Sequence, residues 1–510
     1  MDRPSRRRSA FRVTISILML ALVLVALVAY AIDDSDQRSA AVATVQITAV
    51  TSGPDFRAPW QSRPTSTVGG SGVLLEGGRV LTNAHVVNGA VSIELKRVGL
   101  PGSYPAHIEF IDHGSDLALL AVDKPGFGGA GVEMMLGEIP APHAAVDVYG
   151  YPENAQTVCR TEAVVSRVEF GSCAHSWQLV LFGSLDKLLK PGNSGGPVVA
   201  DGKVIGLATQ NLNQDIAGQF ITVPAIRQFL ADVADGHVDG RPEFGLRFQT
   251  LESDALRASC GMSPTQTGVL VCAVGVGGSG DGVMRVGDVI MAVAGIPVAN
   301  DGTMALDKER RVDFSWPLET RQVGDRLDVG ILRDGVVRHE TIVLGSDGLL
   351  VDGPHFPDRA PYRIFGGLVF QPVDLDLVIT NRDNLGANVL LPADSCALAT
   401  AARRQRVTLG RVLPHEVNRG YQDWGTELVE SVNGEPVRDF AHFNELLDGA
   451  GDRWITILMD DASSVVLDLA AARAALPVIL GTYNIGDERF PAAPRAPVAV
   501  KVAGPGTRAS

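Results

Sequence analysis

Three short segments carry side chains that could together break an acyl bond. Leu81-Thr82-Asn83-Ala84-His85-Val86-Val87 places a histidine at the end of an apolar, β-type run. Ser115-Asp116-Leu117-Ala118-Leu119-Leu120 places an acid at the start of another. Lys190-Pro191-Gly192-Asn193-Ser194-Gly195-Gly196-Pro197-Val198-Val199 sets a serine among glycines. A serine hydroxyl is a poor nucleophile at neutral pH and needs an adjacent base, for which histidine is the best matched side chain. The imidazole must hold one tautomer, and a buried carboxylate enforces it. The glycines let the backbone turn sharply, so that the N–H groups of Gly192 and Ser194, with Asn193 between them, converge where an oxyanion would form. Taken singly, His85 reads as a half-buried histidine, Asp116 as a strand cap and the glycines as a tight turn. Taken jointly, they supply a base, an orienting acid and a nucleophile with no member missing.

Side chains so far apart in sequence need a rigid frame. From about residue 42 the chain reads as short strands broken by glycine turns, among them Ala43–Ala49, Gly72–Leu75, Val80–Thr82, Val91–Leu95, Ala118–Val122 and Ala145–Tyr149. Helical periodicity first appears at Pro224–Val233, where Ile226, Phe229, Leu230 and Val233 share a face. Many short strands closed by one terminal helix predict an all-β barrel domain over residues 42–235. Asp235–Pro242 reads as a linker, and a second β-rich unit spans 243–345. A Gly- and Pro-rich break at 346–361 precedes a third unit at 362–480, and residues 481–510 read as a flexible tail. The second and third units share a pattern of Phe-Gly-Leu or Phe-Gly-Gly-Leu followed by a strand, a glycine turn and a strand, as in a divergent repeat.

Composition narrows the function. Fifty-eight acidic against 44 basic residues give a net charge of −14, which excludes electrostatic gripping of nucleic acid. Positive charge gathers at Arg3, Arg6, Arg7, Arg8 and Arg12, ahead of 20 uncharged residues from Val13 to Ile32. As a helix that run would span roughly 30 Å, and its charge asymmetry keeps the N-terminus cytoplasmic and exports the body. Residues 1–36 therefore read as a membrane segment, either an uncleaved anchor or a signal peptide cut near Ala29-Tyr30-Ala31. Of the five cysteines, Cys159 with Cys173 and Cys260 with Cys272 are near enough in sequence to pair, leaving Cys396; the equal alternative is five small buried side chains. No Cys/His spacing indicates a metal, and no cofactor is expected. Gly275-Val276-Gly277-Gly278-Ser279-Gly280 fits a dinucleotide fingerprint by spelling, but no helix of the needed length follows, so it reads as a loop. No Gly-x4-Gly-Lys-Ser/Thr segment exists for ATP.

The segments TNAHVV, SDLALL and GNSGGPVV, in the chain order His, Asp, Ser, resemble the HtrA/Deg family of serine proteases over residues 42–480, closest to plant-type Deg proteases with two PDZ domains. VYGYP, VVSRVE, VGDVI, VANDGT and VNGEPV support the likeness. The resemblance implies a mainly β protein: a trypsin-like double β-barrel followed by two PDZ domains. It also implies ATP-independent cleavage of unfolded or damaged proteins outside the cytoplasm by trimer-based homo-oligomers. Phe56 and Trp60 then stand where the family uses aromatics for trimer contacts, or in a core. In such a fold the residue six before the serine, Leu188, with Leu189 beside it, lines the S1 pocket, so small or medium apolar P1 residues are expected. Phe244-Gly245-Leu246 resembles the loop with which a PDZ domain holds a peptide carboxylate, and Phe365-Gly366-Gly367-Leu368 its counterpart in the third unit, the one expected to pack rather than bind. The competing reading is a peptide-binding chaperone or scaffold with a locked triad.

Overall fold

Strand alternation explains why so many segments are apolar throughout. In Leu117-Ala118-Leu119-Leu120, Leu117 and Leu119 join a core between two barrels, while Ala118 and Leu120 fill the interior of the first. Val204 and Leu207 face that same inter-barrel core, whereas Ile205 and Ala208 point into the second barrel. A strand buried on both faces must be apolar at every position, so its sequence loses the usual period of two.

The computed structural model describes residues 37–490 apart from 129–132, 210–216, 347, 357–358, 387–388 and 391–396. Strands β1 (Thr44–Thr51), β2 (Ser66–Leu74), β3 (Val80–Thr82), β4 (Ala90–Arg97), β5 (Tyr104–Asp112) and β6 (Leu117–Val122) close the first barrel in the order β1-β2-β3-β6-β5-β4. The one-turn helix α1 (Ala84–Val87) follows β3. Strands β7 (Ala145–Gly150), β8 (Cys159–Ser172), β9 (Leu179–Leu185), β10 (Pro197–Ala200), β11 (Lys203–Thr209) and β12 (Gln219–Thr222) close the second barrel. Helix α2 (Val223–Asp232) seals it, burying Ile226 and Phe229 as their spacing predicts. The mainly β, double-barrel expectation is met.

The second unit is a sheet ordered β13 (Leu246–Thr250), β14 (Val269–Val274), β15 (Val289–Val293), β19 (Arg326–Arg333), β20 (Val336–Val343). Between β15 and β19 in the chain lie β16 (Ile296–Pro297) and the hairpin of β17 (Thr303–Ala305) and β18 (Arg311–Asp313). A bridge between Glu243 and Gly345 joins the two ends of this unit. Ser279, in the glycine-rich loop, donates its hydroxyl to Glu243 O and accepts from Gly345 N at 2.8 Å, so that loop fastens the two ends together. The third unit contains β21 (Tyr362–Phe365), β22 (Leu368–Val373), β23 (Arg406–Val412), β24 (Glu427–Val432), β25 (Glu435–Pro436), β26 (Trp454–Met459), β27 (Ser464–Asp468) and β28 (Arg489–Phe490). It adds helices α3 (Leu375–Asn381), α4 (Phe440–Gly449) and α5 (Leu469–Thr482).

Two expectations change, and two pairs of open alternatives narrow. Cys159, Cys173, Cys260 and Cys272 are all free thiols. Burial pushes the Cys173 thiol up to about 12, so it packs as a small apolar group; Cys396 lies outside the described residues. The break at 346–361 is no loose linker: Leu350, Val351 and Ala360 are buried, and Phe356 lies on the His113 ring at 4.4 Å. The tail starts later than residue 481, because α5 runs to Thr482 and β28 pairs with β21. Phe56 and Trp60 are internal: Phe56 packs with Val351 and Leu375, and Trp60 meets Tyr362 edge-on at 6.1 Å. The apolar run of residues 13–32 and the tail beyond Phe490 lie outside the described residues. Among the described residues no helix is long and apolar enough to cross a membrane.

The second unit is clamped to the protease barrels by a buried ion pair. The Arg241 guanidinium reaches Glu319, whose side chain is fully enclosed and also accepts from Leu181 N on β9 at 3.2 Å. Gln228 on α2 and Gln322 add a second link at 3.1 Å. Removing one member of such a pair strands a buried charge at a cost of about 3–5 kcal/mol, whereas replacing both with apolar groups costs far less. Glu319→Ala should therefore lower the urea midpoint of unfolding markedly, and Arg241→Met with Glu319→Leu should recover most of the loss. A double variant as unstable as the single one would contradict this.

Candidate active site

The site lies where the two barrels meet, and each barrel contributes half. From the first, β3 ends at Thr82 and α1 starts at once, which carries His85 out of the barrel wall into the interface. Asp116 opens β6 and is completely buried. Its backbone has φ of +57°, a left-handed value that aspartate tolerates better than most residues but that costs of the order of 1–3 kcal/mol. The strained peptide is held by its carbonyl, which accepts from Asn83 Nδ2 at 3.1 Å and from Ala84 N at 3.0 Å.

The carboxylate of Asp116 is fully engaged. Oδ2 lies 2.8 Å and Oδ1 3.0 Å from His85 Nδ1, and Oδ1 also accepts from His85 N at 2.9 Å. The second barrel reaches across with Thr209, whose hydroxyl donates to Oδ2 at 3.0 Å. Burial alone would push this carboxyl up, but the adjacent His85 imidazole and its hydrogen bonds outweigh burial and hold it below the usual carboxylate range. A carboxylate at Nδ1 directs Nε2, the other ring nitrogen, away from it as the free acceptor.

Ser194 sits in the turn before β10 and is half-buried. The turn is bound to the first barrel through Ser71 on β2, whose N–H donates to Ser194 O at 2.8 Å and whose hydroxyl donates to Gly192 O at 2.7 Å. Gly192 has φ of +96°, and a Cβ there would press on Tyr151 O. Gly195 has φ of +81°, and its missing Cβ leaves room for Ser71 O and Thr82 Oγ1. Asn193 turns inward: its N–H donates to Lys190 O at 3.2 Å and its Nδ2 to the same oxygen at 3.1 Å. Among the described residues, the N–H groups of Gly192 and Ser194 donate to no acceptor. The structure thus brings His85, Asp116, Gly192, Asn193 and Ser194 to one place. No hydrogen bond joins His85 to Ser194 among the described residues.

Leu188 stands 57% exposed, and Leu189 packs half-buried against the interior of the second barrel. The neighbouring carboxylate, Asp186, turns back to accept from Val164 N at 2.7 Å. In the second unit Phe244 is buried and stacked on Phe314 at 5.3 Å, and Gly245 has φ of +62°. Leu246 starts β13, which among the described residues pairs with β14 and with no strand on its other edge. In the third unit the equivalent strand β22 is paired on both sides, by β21 and β23. There Asn418 Nδ2 fills the Phe365–Leu368 loop by donating to Gly366 O at 2.8 Å. Strand addition has an open edge at β13 and none at β22.

Three neighbours escaped the sequence reading. Ser71 lies in Gly69-Gly70-Ser71-Gly72, and small residues inside a strand mark a close backbone approach that could have signalled it. Thr209 carries no local signal. His175, in the loop between β8 and β9, stacks on His85 with ring centroids 4.3 Å apart and planes 16° from parallel.

A family model described as a trypsin-like peptidase domain matches residues 70–207, and one described as a PDZ domain matches residues 353–491. Protease Do-like 2, chloroplastic, of Arabidopsis thaliana is 33% identical over 88% of this chain and 74% of that protein. Protease Do-like 4, mitochondrial, of the same plant is 30% identical over 86% of this chain and 83% of that protein. Among solved structures, the HtrA-type protease AlgW with decapeptide is similar over 61% of this chain and 98% of that chain, at 21% identity and a TM-score of 0.46.

The depressed pKa of Asp116 has a measurable consequence. A carboxyl whose folded value lies below its unfolded value, about 3.9, stabilises the fold above that pH and loses its contribution as the pH falls through the folded value. The excess stability of the wild type over Asp116→Asn should therefore shrink as the pH is lowered below about 4 in urea titrations. An excess that grows on acidification would contradict the charge state assigned to Asp116.

Proposed function

The chain belongs to the Do-like (HtrA/Deg) serine protease family and is a serine endopeptidase; on that premise we propose that His85, Asp116 and Ser194 are its catalytic triad. The observation that carries the reading is the 2.8 Å contact from Oδ2 of the fully buried Asp116 to His85 Nδ1 at the junction of the barrels. His85 Nε2 takes the Ser194 proton as the hydroxyl attacks the scissile carbonyl. Asp116 stabilises the imidazolium so formed and fixes its plane. The Gly192 and Ser194 amides receive the oxyanion, and His85 then returns the proton to the leaving amine. Water repeats the sequence on the acyl-enzyme. The contact from His85 to Ser194 closes on substrate binding, as catalytic hydrogen bonds in unliganded enzymes commonly do.

The substrates are unfolded or damaged proteins, cleaved without ATP, since the chain contains no phosphate-binding loop. An apolar Leu188 and a carboxylate at Asp186 that is turned away favour small or medium apolar P1 residues. The second unit serves as a first PDZ domain, taking a peptide C-terminus along the open edge of β13 at Phe244-Gly245-Leu246. The third unit, with both edges of β22 filled, acts in regulation or assembly. The basic and apolar N-terminal segment places the protease outside the cytoplasm, and the working form is a trimer-based homo-oligomer.

Ser194→Ala or His85→Ala should lower kcat by about 10⁶ if the triad acts as a unit. Digestion of β-casein, with fluorophosphonate labelling of the wild type only, is the check; near-normal digestion by Ser194→Ala would end the assignment. A peptide-library digest should show cleavage after Val, Ala or Leu, and cleavage mainly after Arg or Lys would refute the pocket reading.

A further inference from the structure

His175 is the one histidine whose ring lies against the proposed base, and its loop is built to hold it there. The loop between β8 and β9 is tied at its neck, where Trp177 N donates to Cys173 O at 2.9 Å. Ser176 donates its hydroxyl to Gly114 O at 2.7 Å, two residues from Asp116, so the loop carrying His175 and the loop carrying Asp116 are fastened to each other. Outside, the Arg382 guanidinium covers the Trp177 ring at 5.0 Å. His175 is thereby held over His85 on one side, while Asp116 holds His85 at its Nδ1 end.

One donor atom from each of His85, His175 and Asp116 lies within 4.8 Å of the other two. Two imidazoles and a carboxylate are a donor set that suits zinc and its neighbours, and two histidines with one carboxylate and an open fourth position form a recurrent zinc site. A tetrahedral ion with ligands at about 2.0–2.2 Å needs donors roughly 3.3–3.6 Å apart. The donors, all within 4.8 Å of one another, would have to adjust to that spacing as an ion binds.

We propose that His85, His175 and Asp116 form an inhibitory binding site for a divalent transition-metal ion of the zinc class. The inference rests on the triad reading for its consequence. An ion that takes a His85 lone pair and draws Asp116 from its hydrogen bond removes the base and its orienting acid together. Coordination needs both imidazoles neutral, so protons compete with the ion and inhibition weakens as the pH falls. No metal is needed for turnover, and the ion acts only as a reversible brake.

The test uses tag-free full-length protein and a fluorogenic peptide, with every variant compared with its own metal-free rate. Zinc chloride should inhibit the wild type and EDTA should restore it, while magnesium chloride has no effect. His175→Phe keeps an aromatic ring against His85 but offers no lone pair, and should raise the half-inhibiting zinc concentration by at least about tenfold. In parallel, cobalt(II) added to Ser194→Ala should give the visible absorption of a four-coordinate ion, and Ser194→Ala with His175→Phe should not. Equal zinc sensitivity of wild type and His175→Phe, or no cobalt band in Ser194→Ala, overturns the proposal. A cobalt band without zinc inhibition overturns its inhibitory role. If Ser194→Ala proved as active as the wild type, the triad reading would fail, while the cobalt measurements would still decide the site.

Discussion

A fully buried, ionised carboxylate is the constraint from which the rest of the active-site architecture follows. An isolated charge out of water is prohibitively expensive, and folding must surround it with donors. Asp116 receives four close donor contacts, three from His85 and one from Thr209. Two come from the His85 ring nitrogen to the two carboxylate oxygens, one from the His85 backbone, and one from the other barrel. The same atoms that relieve the buried charge therefore fix the tautomer of the imidazole and tie the two barrels at the site. The strained backbone of Asp116 is tolerated because Asn83 and Ala84 clamp its carbonyl, and both belong to the short segment that delivers His85.

The serine turn obeys a second constraint, that backbone groups of one barrel must meet those of the other. Ser71 satisfies two carbonyls of the turn, those of Gly192 and Ser194, from the first barrel. Outside the barrels the same logic of enclosed polar groups fixes the neighbouring unit, through Arg241 and Glu319. The third unit and the segment before it press Phe356 onto His113 and Arg382 onto Trp177, both next to loops that frame the site. The frame of the active site is thus shared by the protease barrels and the units that follow them.

What the sequence revealed and concealed divides along a physical line. His85, Asp116 and Ser194 were legible because each lies in a short segment whose chemistry is local: a strand end, a strand start, a glycine turn. A barrel domain was legible from short strands and turns, its doubling only from the family resemblance, and α2 from one amphipathic face. Ser71, Thr209 and His175 are defined by convergence in space, and only Ser71 left a trace, in its flanking glycines. Residues 346–361 read as a break because glycine and proline are counted as breakers, yet Val351 packs with Leu375, Leu377 and Val378 of α3 and with Phe56. Cys159 and Cys173 are near in sequence at opposite ends of a strand 14 residues long, which separates them instead of pairing them. The tail boundary was misplaced because β28 has no pattern of its own and exists only by pairing with β21.

The central claim is that Asp116 sets the tautomer of His85 and so frees Nε2 to act as base. Nitrogen-15 NMR of histidine-labelled protein, recorded on Ser194→Ala at a pH where the ring is neutral, measures this directly. The account predicts that His85 carries its proton on Nδ1, with an Nδ1 hydrogen strongly deshielded by the carboxylate, and that Asp116→Asn abolishes this signature. A neutral His85 found with its proton on Nε2 would contradict the account.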